Sequence, residues 1–183
     1  IAKIIFTMTN SKELFNDLVS RISLDEDKSE IQSIIYLLLE KKLGLNKTEI
    51  LAGKEISVRP EIFDSFVLQI NNHVPIQYIF GEAEFYGRPF KVSPSVLIPR
   101  PETELLISEI KNEVLKRKLP SPKILDIGTG SGCIAITLAL EISHALVQAT
   151  DISEGAIVVA DENAKELNAS VTFNLHNILT EKI

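Results

Sequence analysis

The segment LDIGTGSGC, residues 125–133, strongly limits what this chain can fold into. An apolar run leads into an aspartate, glycine then occupies positions 128, 130 and 132, and an apolar run resumes at helical spacing. Glycine allows backbone conformations with positive φ and lets a ligand approach the main chain closely. The segment therefore predicts a tight turn between a buried strand and a helix, with a ligand lying against it.

From Lys123 onward the sequence alternates between strand and helix patterns. KILDIG, ALVQATDIS and VTFNLHNIL are typical of strands, and GCIAITLALEI and EGAIVVADENAKELN between them are typical of helices. This order predicts the first half of an open parallel α/β sheet. Ligands of such sheets bind beyond the carboxyl ends of the strands, where the glycine turn and Asp151 both fall.

The preceding residues divide into two further segments. Residues 1–74 show helical periodicity, for example at Leu14, Leu18 and Ile22, and predict a small all-α helical bundle. Residues 75–100 are rich in proline, glycine and aromatic residues and predict a connector with a β-hairpin at EFYGRPFKV. A helix that Pro101 can begin opens the third segment, residues 101–183.

Composition and charge exclude several classes of protein. The chain is 45% hydrophobic and 24% charged, as in ordinary globular proteins, and no apolar run approaches the roughly 20 residues of a membrane span. Its net charge is −6, and its one basic cluster, residues 111–118, is typical of a solvated helix end. We therefore expect no membrane association and no direct binding to nucleic acid, although a partner could carry RNA. The single cysteine suits the reducing cytoplasm.

The spacing of the turn narrows the choice of ligand. A dinucleotide fingerprint requires glycine where this chain has Cys133, and a P-loop requires a lysine that is missing here. Asp151 could accept hydrogen bonds from both hydroxyls of a ribose, and it would repel a 2′-phosphate. Asp126 adds a second negative charge beside the turn; capping of the strand ends is the competing interpretation of both aspartates. Together these features favour S-adenosylmethionine, which carries sulfonium and ammonium groups, while an NAD-dependent oxidoreductase remains an alternative.

The motif DIGTGSG, followed by an acidic residue at the end of the second strand, resembles the class I methyltransferases. The segment PIQYIFGEAEFYGRPFKVSPSVLIPRPETELLI resembles the HemK/PrmC family, the release-factor glutamine N5-methyltransferases. The resemblance implies a Rossmann-like methyltransferase sheet, preceded by a helical substrate-recognition domain and the hairpin connector. It also implies methyl transfer from S-adenosylmethionine to the glutamine of the Gly-Gly-Gln motif in peptide-chain release factors, with S-adenosylhomocysteine as product.

The resemblance also implies roles for individual residues. Asp151 would hold the ribose, Asn177 would meet the adenine amino group, and Ile178 would lie against the ring. The implied cofactor-binding residues are Asp126, Ile127, Gly128, Thr129, Gly130, Asp151, Ile152, Asn177 and Ile178. The implied loop that closes over the cofactor is Arg100, Pro101, Glu102 and Thr103, for which helix initiation alone is the competing interpretation.

Three further expectations concern catalysis, metals and assembly. The family's catalytic Asn-Pro-Pro-Tyr motif does not occur in these 183 residues. We therefore expect a C-terminally truncated member that has no catalytic residues of its own and is inactive by itself; a non-catalytic binder of the cofactor or of a release factor is the alternative. Cys133 is expected to pack as a small apolar residue, and the three histidines, which lack metal-ligand spacing, predict no metal site. The partner is expected to be a release factor and the chain a monomer.

Overall fold

The computed structural model describes residues 7–180, which form two compact units that divide between residues 79 and 80. Residues 1–6 of the predicted helical segment and residues 181–183 of the predicted α/β segment lie outside the described residues. None of the helices within residues 7–180 combines the length and the apolar composition that crossing a bilayer requires. The N-terminal unit contains, in chain order, β1 (Thr7–Asn10), α1 (Ser11–Arg21), α2 (Lys28–Leu43), α3 (Lys47–Ala52), β2 (Glu55–Val58), a 3-10 turn (Pro60–Phe63) and α4 (Asp64–Asn71), and α5 (Ile76–Phe80) crosses the division.

Local caps determine where the first helices begin and end. The side chain of Asn10 accepts a hydrogen bond from the N–H of Glu13 at 2.9 Å. Asn46 and Glu49 form a capping box, in which each side chain accepts a bond from the other's backbone N–H. Gly44 ends α2 in the left-handed conformation, with φ of 66°. These caps satisfy the backbone groups that helix ends leave unpaired. The capping residues in the sequence therefore mark closely where these helices begin and end.

The apolar stripes of these helices meet in a core, as the periodicity predicts. The fully buried side chains of the N-terminal unit include Leu18, Ile35, Leu38, Leu39 and Phe63. The unit also contains a two-stranded antiparallel ribbon, in which β1 pairs with β2, and the all-α prediction missed it. The two strands are only four residues long and are separated in sequence by α1, α2 and α3, so no local pattern announces their pairing.

The C-terminal unit contains the predicted alternation of strands and helices. Its elements are β3 (Glu82–Phe85), β4 (Arg88–Lys91), a 3-10 turn (Pro101–Thr103), α6 (Glu104–Lys116), β5 (Lys123–Ile127), α7 (Cys133–Glu141), β6 (Leu146–Asp151), α8 (Glu154–Glu166) and β7 (Val171–Leu175). β5, β6 and β7 form a parallel sheet in that spatial order. The prediction of a Rossmann-like α/β fold is confirmed.

One face of the parallel sheet is covered and the other is open within residues 7–180. Val147 and Ala149 of β6 are buried in a cluster with Ala135 of α7. On the opposite face, Leu125 and Leu146 are 40% and 58% exposed. Strands this apolar are typical of sheets in which both faces are covered. Among the described residues, only one face of this sheet is covered.

The hairpin of β3 and β4 belongs to the C-terminal unit and contributes to its core. Its turn at Tyr86 and Gly87 has φ of 52° and 70°, as a two-residue hairpin turn requires. Phe85 and Phe90 are fully buried and meet edge to face, with ring centroids 6.0 Å apart. They pack in the same cluster as Ile136 of α7. The connector is therefore attached to the α/β core by a large buried apolar surface.

Candidate functional site

The glycine turn lies between β5 and α7, at the edge of the sheet where its strands have their carboxyl ends (the carboxyl edge). Gly128, Gly130 and Gly132 have positive φ, of 75°, 55° and 80°. The N–H groups of Gly128 and Thr129 donate to the carbonyl of Thr150 in β6, at 2.8 and 3.0 Å. The predicted tight turn is confirmed, and its first residues are attached to the end of the neighbouring strand.

The three glycines have different surroundings. A Cβ atom at Gly128 or Gly130 would meet no heavy atom within 4 Å, so the space beside both residues is open. A Cβ atom at Gly132 would lie 2.8 Å from Cδ1 of Ile136 and 3.1 Å from Cβ of Ala160. Gly132 therefore lets α7 and α8 pack closely, whereas Gly128 and Gly130 present main chain that a ligand can approach.

Asp151, the last residue of β6, stabilises this turn with its carboxylate. Its Oδ2 accepts a hydrogen bond from the N–H of Gly130 and its Oδ1 accepts one from the N–H of Ser153, both at 2.9 Å. A carboxylate offers about four lone-pair positions, so about two remain for other donors, such as hydroxyl groups. The sequence predicted a ligand-binding role, with capping of the strand end as the alternative; the structure shows that this carboxylate holds the turn, and its ligand contact stays a prediction.

Asp126, in β5, brings a second carboxylate to the turn. Its Oδ2 accepts a hydrogen bond from the Thr129 hydroxyl at 2.7 Å. Burial raises the pKa of Asp126 above its ordinary range, and the negative charge of Asp151 adds to the rise, while the bond from Thr129 opposes it. No lysine or arginine within residues 7–180 forms an ion pair with either aspartate. The negative charge beside the turn is therefore uncompensated there, and a cationic ligand would relieve it.

The remaining predicted cofactor residues lie at the same carboxyl edge. Ile127 ends β5, Ile152 follows β6, and Asn177 and Ile178 follow β7. Ile127 and Ile152 are large apolar side chains that are 51% and 66% exposed. Asn177 accepts a hydrogen bond from the N–H of Leu179 at 3.0 Å, which forms a turn after the strand. The fold thus brings all nine residues to one edge, and their contact with a cofactor stays a prediction.

Arg100, Pro101, Glu102 and Thr103 lead into α6. The N–H of Thr103 donates to the Arg100 carbonyl at 3.0 Å, and Pro101 opens the 3-10 turn before the helix. Among the described residues, no hydrogen bond joins this segment to the glycine turn. Helix initiation is the role that its hydrogen bonds show, and closure over a cofactor stays a prediction.

Cys133, the first residue of α7, is a buried thiol beside the turn. Burial raises its pKa to about 11, so the thiol is protonated near neutral pH. A protonated, buried thiol is a poor nucleophile. The prediction that Cys133 packs as a small apolar residue is confirmed.

Two polar residues that the sequence patterns did not reveal fix the surroundings of the turn. Asn163 of α8 is 1% exposed and donates a hydrogen bond to the Ser131 carbonyl, inside the turn, at 2.9 Å. Glu104, at the start of α6, accepts a bond from the N–H of Tyr86 in the hairpin at 2.8 Å. The signal for Asn163 was its place on the buried, alanine-rich face of α8. Nothing in the local sequence pairs Glu104 with the hairpin.

Comparison with known proteins identifies relatives over most of the chain. The family model of the methyltransferase small domain matches residues 101–183. The release factor glutamine methyltransferase of Flavobacterium psychrophilum is 42% identical over 157 residues, which cover 84% of this chain and 55% of that protein. The Bacillus anthracis protein of the same name is 44% identical over 161 residues, covering 85% and 54%. The Bacillus subtilis protein of the same name is 36% identical over 173 residues, which cover 92% of this chain and 60% of that protein.

This chain spans little more than half the length of these curated relatives. Among solved structures, it aligns with a tRNA (uracil-54, C5)-methyltransferase of Pyrococcus abyssi in complex with S-adenosyl-L-homocysteine, at a TM-score of 0.42 and 20% identity. That alignment covers 52% of this chain and 23% of the other. Such a partial likeness assigns no function, so the family assignment depends on the sequence relatives.

Proposed function

The chain belongs to the release factor glutamine methyltransferase family, and from this we propose that its glycine turn binds S-adenosylmethionine for methyl transfer to a glutamine side chain. The proposed acceptor is the glutamine of the Gly-Gly-Gln loop in a peptide-chain release factor. Because the chain spans only part of its relatives, the activity and the protein substrate both belong to the proposal. A cytoplasmic location, which translation factors as substrates would require, is proposed with them.

The observation that carries the cofactor assignment is an open glycine turn flanked by two carboxylates. Asp126 and Asp151 would repel the phosphates of a dinucleotide, because like charges at close range raise the free energy of binding. S-adenosylmethionine instead presents a sulfonium and an ammonium group, which would relieve the buried charge of Asp126. The open space beside Gly128 and Gly130 accommodates a ligand against the main chain. The residues present therefore fit this cofactor.

We assign the remaining roles along the carboxyl edge. Asp151 would bind the ribose hydroxyls with the lone pairs that the turn leaves unused. Ile178, with Asn177 beside it, would contact the adenine, and the exposed Ile152 would pack against the nucleoside. Arg100 and its neighbours at the start of α6 would cover the bound cofactor. The N-terminal helical unit would recognise the release factor.

The chemistry proposed for this site is difficult because a side-chain amide nitrogen is a weak nucleophile. When bound, the cofactor would supply an electrophilic methyl group on its sulfonium sulfur, with S-adenosylhomocysteine as the leaving group, and the amide nitrogen would give up one proton to water. Correct positioning alone can lower such a barrier by about 7–11 kcal/mol. The part that this chain contributes is to hold the methyl donor in one orientation, because the Gly128–Gly130 main chain and both carboxylates are themselves held by hydrogen bonds.

Two other functions make different predictions. A protein that only binds the cofactor, or only binds the release factor, would retain that one binding activity and would not methylate a release factor. An NAD-dependent oxidoreductase would bind NAD at this turn, against the repulsion from Asp126. Binding measured with S-adenosylhomocysteine, with NAD and with a release factor separates the possible ligands. Because the Asn-Pro-Pro-Tyr motif does not occur in these 183 residues, methylation is followed by mass spectrometry of a release factor incubated with S-adenosylmethionine and a form of the protein that contains that motif. A release factor whose Gly-Gly-Gln glutamine is replaced by alanine is the control.

The ribose assignment needs a test that separates ligand binding from stabilisation of the turn. Asp151→Ala removes two hydrogen bonds within the protein, so weaker binding by this variant would not by itself identify the ligand contact. We would therefore measure the affinity of wild type and Asp151→Ala for S-adenosylhomocysteine and for its 2′-deoxy and 3′-deoxy analogues, by calorimetry.

If Asp151 binds the ribose, removal of a hydroxyl weakens binding to the wild type by about 1.5–3 kcal/mol and has much less effect in Asp151→Ala. Equal losses in both proteins would mean that Asp151 only stabilises the turn, and the ribose assignment would be wrong. Failure of the wild type to bind S-adenosylhomocysteine at all would contradict the proposed cofactor.

A further inference from the structure

Asn163 connects three separate parts of the C-terminal unit through one buried side chain. Its Nδ2 group donates to the carbonyls of Ser131 and Lys91, at 2.9 and 3.0 Å, and its Oδ1 accepts from the N–H of Lys91 at 2.7 Å. Lys91 ends β4 of the hairpin, and Ser131 lies inside the glycine turn. The side chain is 1% exposed, and both its donors and its acceptor are used. A buried amide satisfied in this way specifies one arrangement of its partners.

On the side of the turn, Asn163 fixes the orientation of a single peptide group. The carbonyl of Ser131 accepts from Asn163, and the N–H of Gly132, in the same peptide plane, donates to the Thr129 carbonyl at 2.9 Å. Peptide groups next to glycine rotate easily, because glycine populates both signs of φ. With both of its polar groups bonded, this peptide keeps the conformation in which the main chain of Gly130 faces open space.

On the side of the hairpin, further contacts bind the connector to α8. The Nζ of Lys91 forms ion pairs with Glu162 and Glu166, at 3.3 and 2.5 Å. A Cβ atom on Gly155 would lie 2.9 Å from the hydroxyl of Ser95, so the connector and the start of α8 are in close contact. Of these contacts, the hydrogen bonds of Asn163 are the ones that reach the glycine turn.

We propose that Asn163 is a positioning residue that couples the connector strand β4 to the glycine turn, so that the turn keeps its cofactor-binding shape while the connector is in place. This inference rests on the proposed function and deepens it. Asn163 acts through the Ser131 carbonyl and touches no reacting atom. Displacement of β4 would lower the affinity for the cofactor, and a bound cofactor would hold β4 more firmly.

The first test compares cofactor affinity with thermal stability in matched variants. Asn163→Leu keeps the size of the side chain and removes all three hydrogen bonds. Lys91→Met removes the surface ion pairs to α8 and keeps the backbone bonds of residue 91, and Ile107→Val lowers stability through a buried contact of α6. We expect Asn163→Leu to bind S-adenosylhomocysteine at least tenfold more weakly than the wild type, and both control variants to bind within twofold of it.

The possible results separate this inference from the function on which it depends. If the wild type does not bind S-adenosylhomocysteine, the proposed function is wrong and the coupling with it. If the wild type binds and Asn163→Leu binds equally well, or weakens only as much as Ile107→Val, the coupling alone is overturned.

A second measurement needs no variant and remains informative if Asn163→Leu does not fold. Hydrogen exchange of backbone amides in the wild-type protein is followed with and without S-adenosylhomocysteine. If the two parts are coupled, the bound ligand should slow exchange at the N–H of Gly130 in the turn and also at the N–H of Lys91, which donates a hydrogen bond to Oδ1 of Asn163. Slowing confined to the turn, with Lys91 unchanged, would overturn the proposal.

Discussion

Gly130→Ala tests whether the open main chain of the glycine turn contacts a ligand. Gly130 has φ of 55°, which an alanine adopts at a cost of about 1–2 kcal/mol. Alanine also has less conformational freedom than glycine in the unfolded chain, which stabilises the folded state by about 0.4–1 kcal/mol and offsets part of this cost. The new methyl group meets no protein atom within 4 Å. The net destabilisation is therefore about 1 kcal/mol, which lowers the melting temperature of a chain this long by roughly 2–4 °C.

The effect on ligand binding should equal or exceed the effect on stability. A methyl group placed where ligand atoms touch the backbone overpacks the contact, at about 1–3 kcal/mol. That range corresponds to roughly 5- to 150-fold weaker binding of S-adenosylhomocysteine. Calorimetric titration of wild type and Gly130→Ala measures the change in affinity, and thermal unfolding followed by circular dichroism measures the change in stability.

Gly132→Ala is the matched control. Its φ of 80° imposes a similar backbone strain, and its Cβ would lie 2.8 Å from Cδ1 of Ile136, so overpacking adds about 1–3 kcal/mol to the loss of stability. This variant should unfold at a clearly lower temperature than Gly130→Ala. If Gly130→Ala binds S-adenosylhomocysteine as tightly as the wild type, the ligand does not contact this turn. If the two variants are equally destabilised, the surroundings of Gly130 and Gly132 do not differ in the way described above.

Three further predictions concern ionisable groups. Burial raises the pKa of Asp126, so its charged form destabilises the fold, and stability falls as the pH rises from the ordinary value of 3.8 through the folded-state pKa. Asp126→Asn should therefore melt at a higher temperature than the wild type at pH 7 and lose that advantage below pH 3.8. Hydrogen bonds from Lys111 and Arg88 lower the pKa of Glu141, so Glu141→Gln should melt lower than the wild type at pH 7, and the difference should vanish as the pH falls well below 4.5. Cys133, with its pKa raised from 9.0 to about 11, should react with iodoacetamide at pH 8 about a hundredfold more slowly in the folded than in the unfolded protein, and equal rates would contradict its burial.

The elements that could be predicted from the sequence depend on residues close together along the chain. The glycine turn lies within nine residues, and each helix of the α/β part shows its apolar residues over about two and a half to three and a half turns. The β1–β2 ribbon could not be predicted, because its two strands are four residues long and are separated in sequence by three helices. The bond from Asn163 to Lys91 spans 72 residues, and no spacing rule relates two such positions. Local patterns therefore reveal which elements form, whereas the contacts that hold the turn depend on how those elements pack.

Asp151 shows how one position can serve two roles that the sequence offers only as alternatives. Its position at the end of the second strand predicts a ligand-binding carboxylate, because parallel strands end at the edge where ligands bind, or a cap of the strand end. The same position puts its oxygens within 2.9 Å of the N–H groups of Gly130 and Ser153. Two different demands, to hold the turn and, in the proposed function, to accept donors from a ligand, would thus be met by the same charge at the same place. Replacement of Asp151 changes both at once, so only a change made on the ligand can separate them.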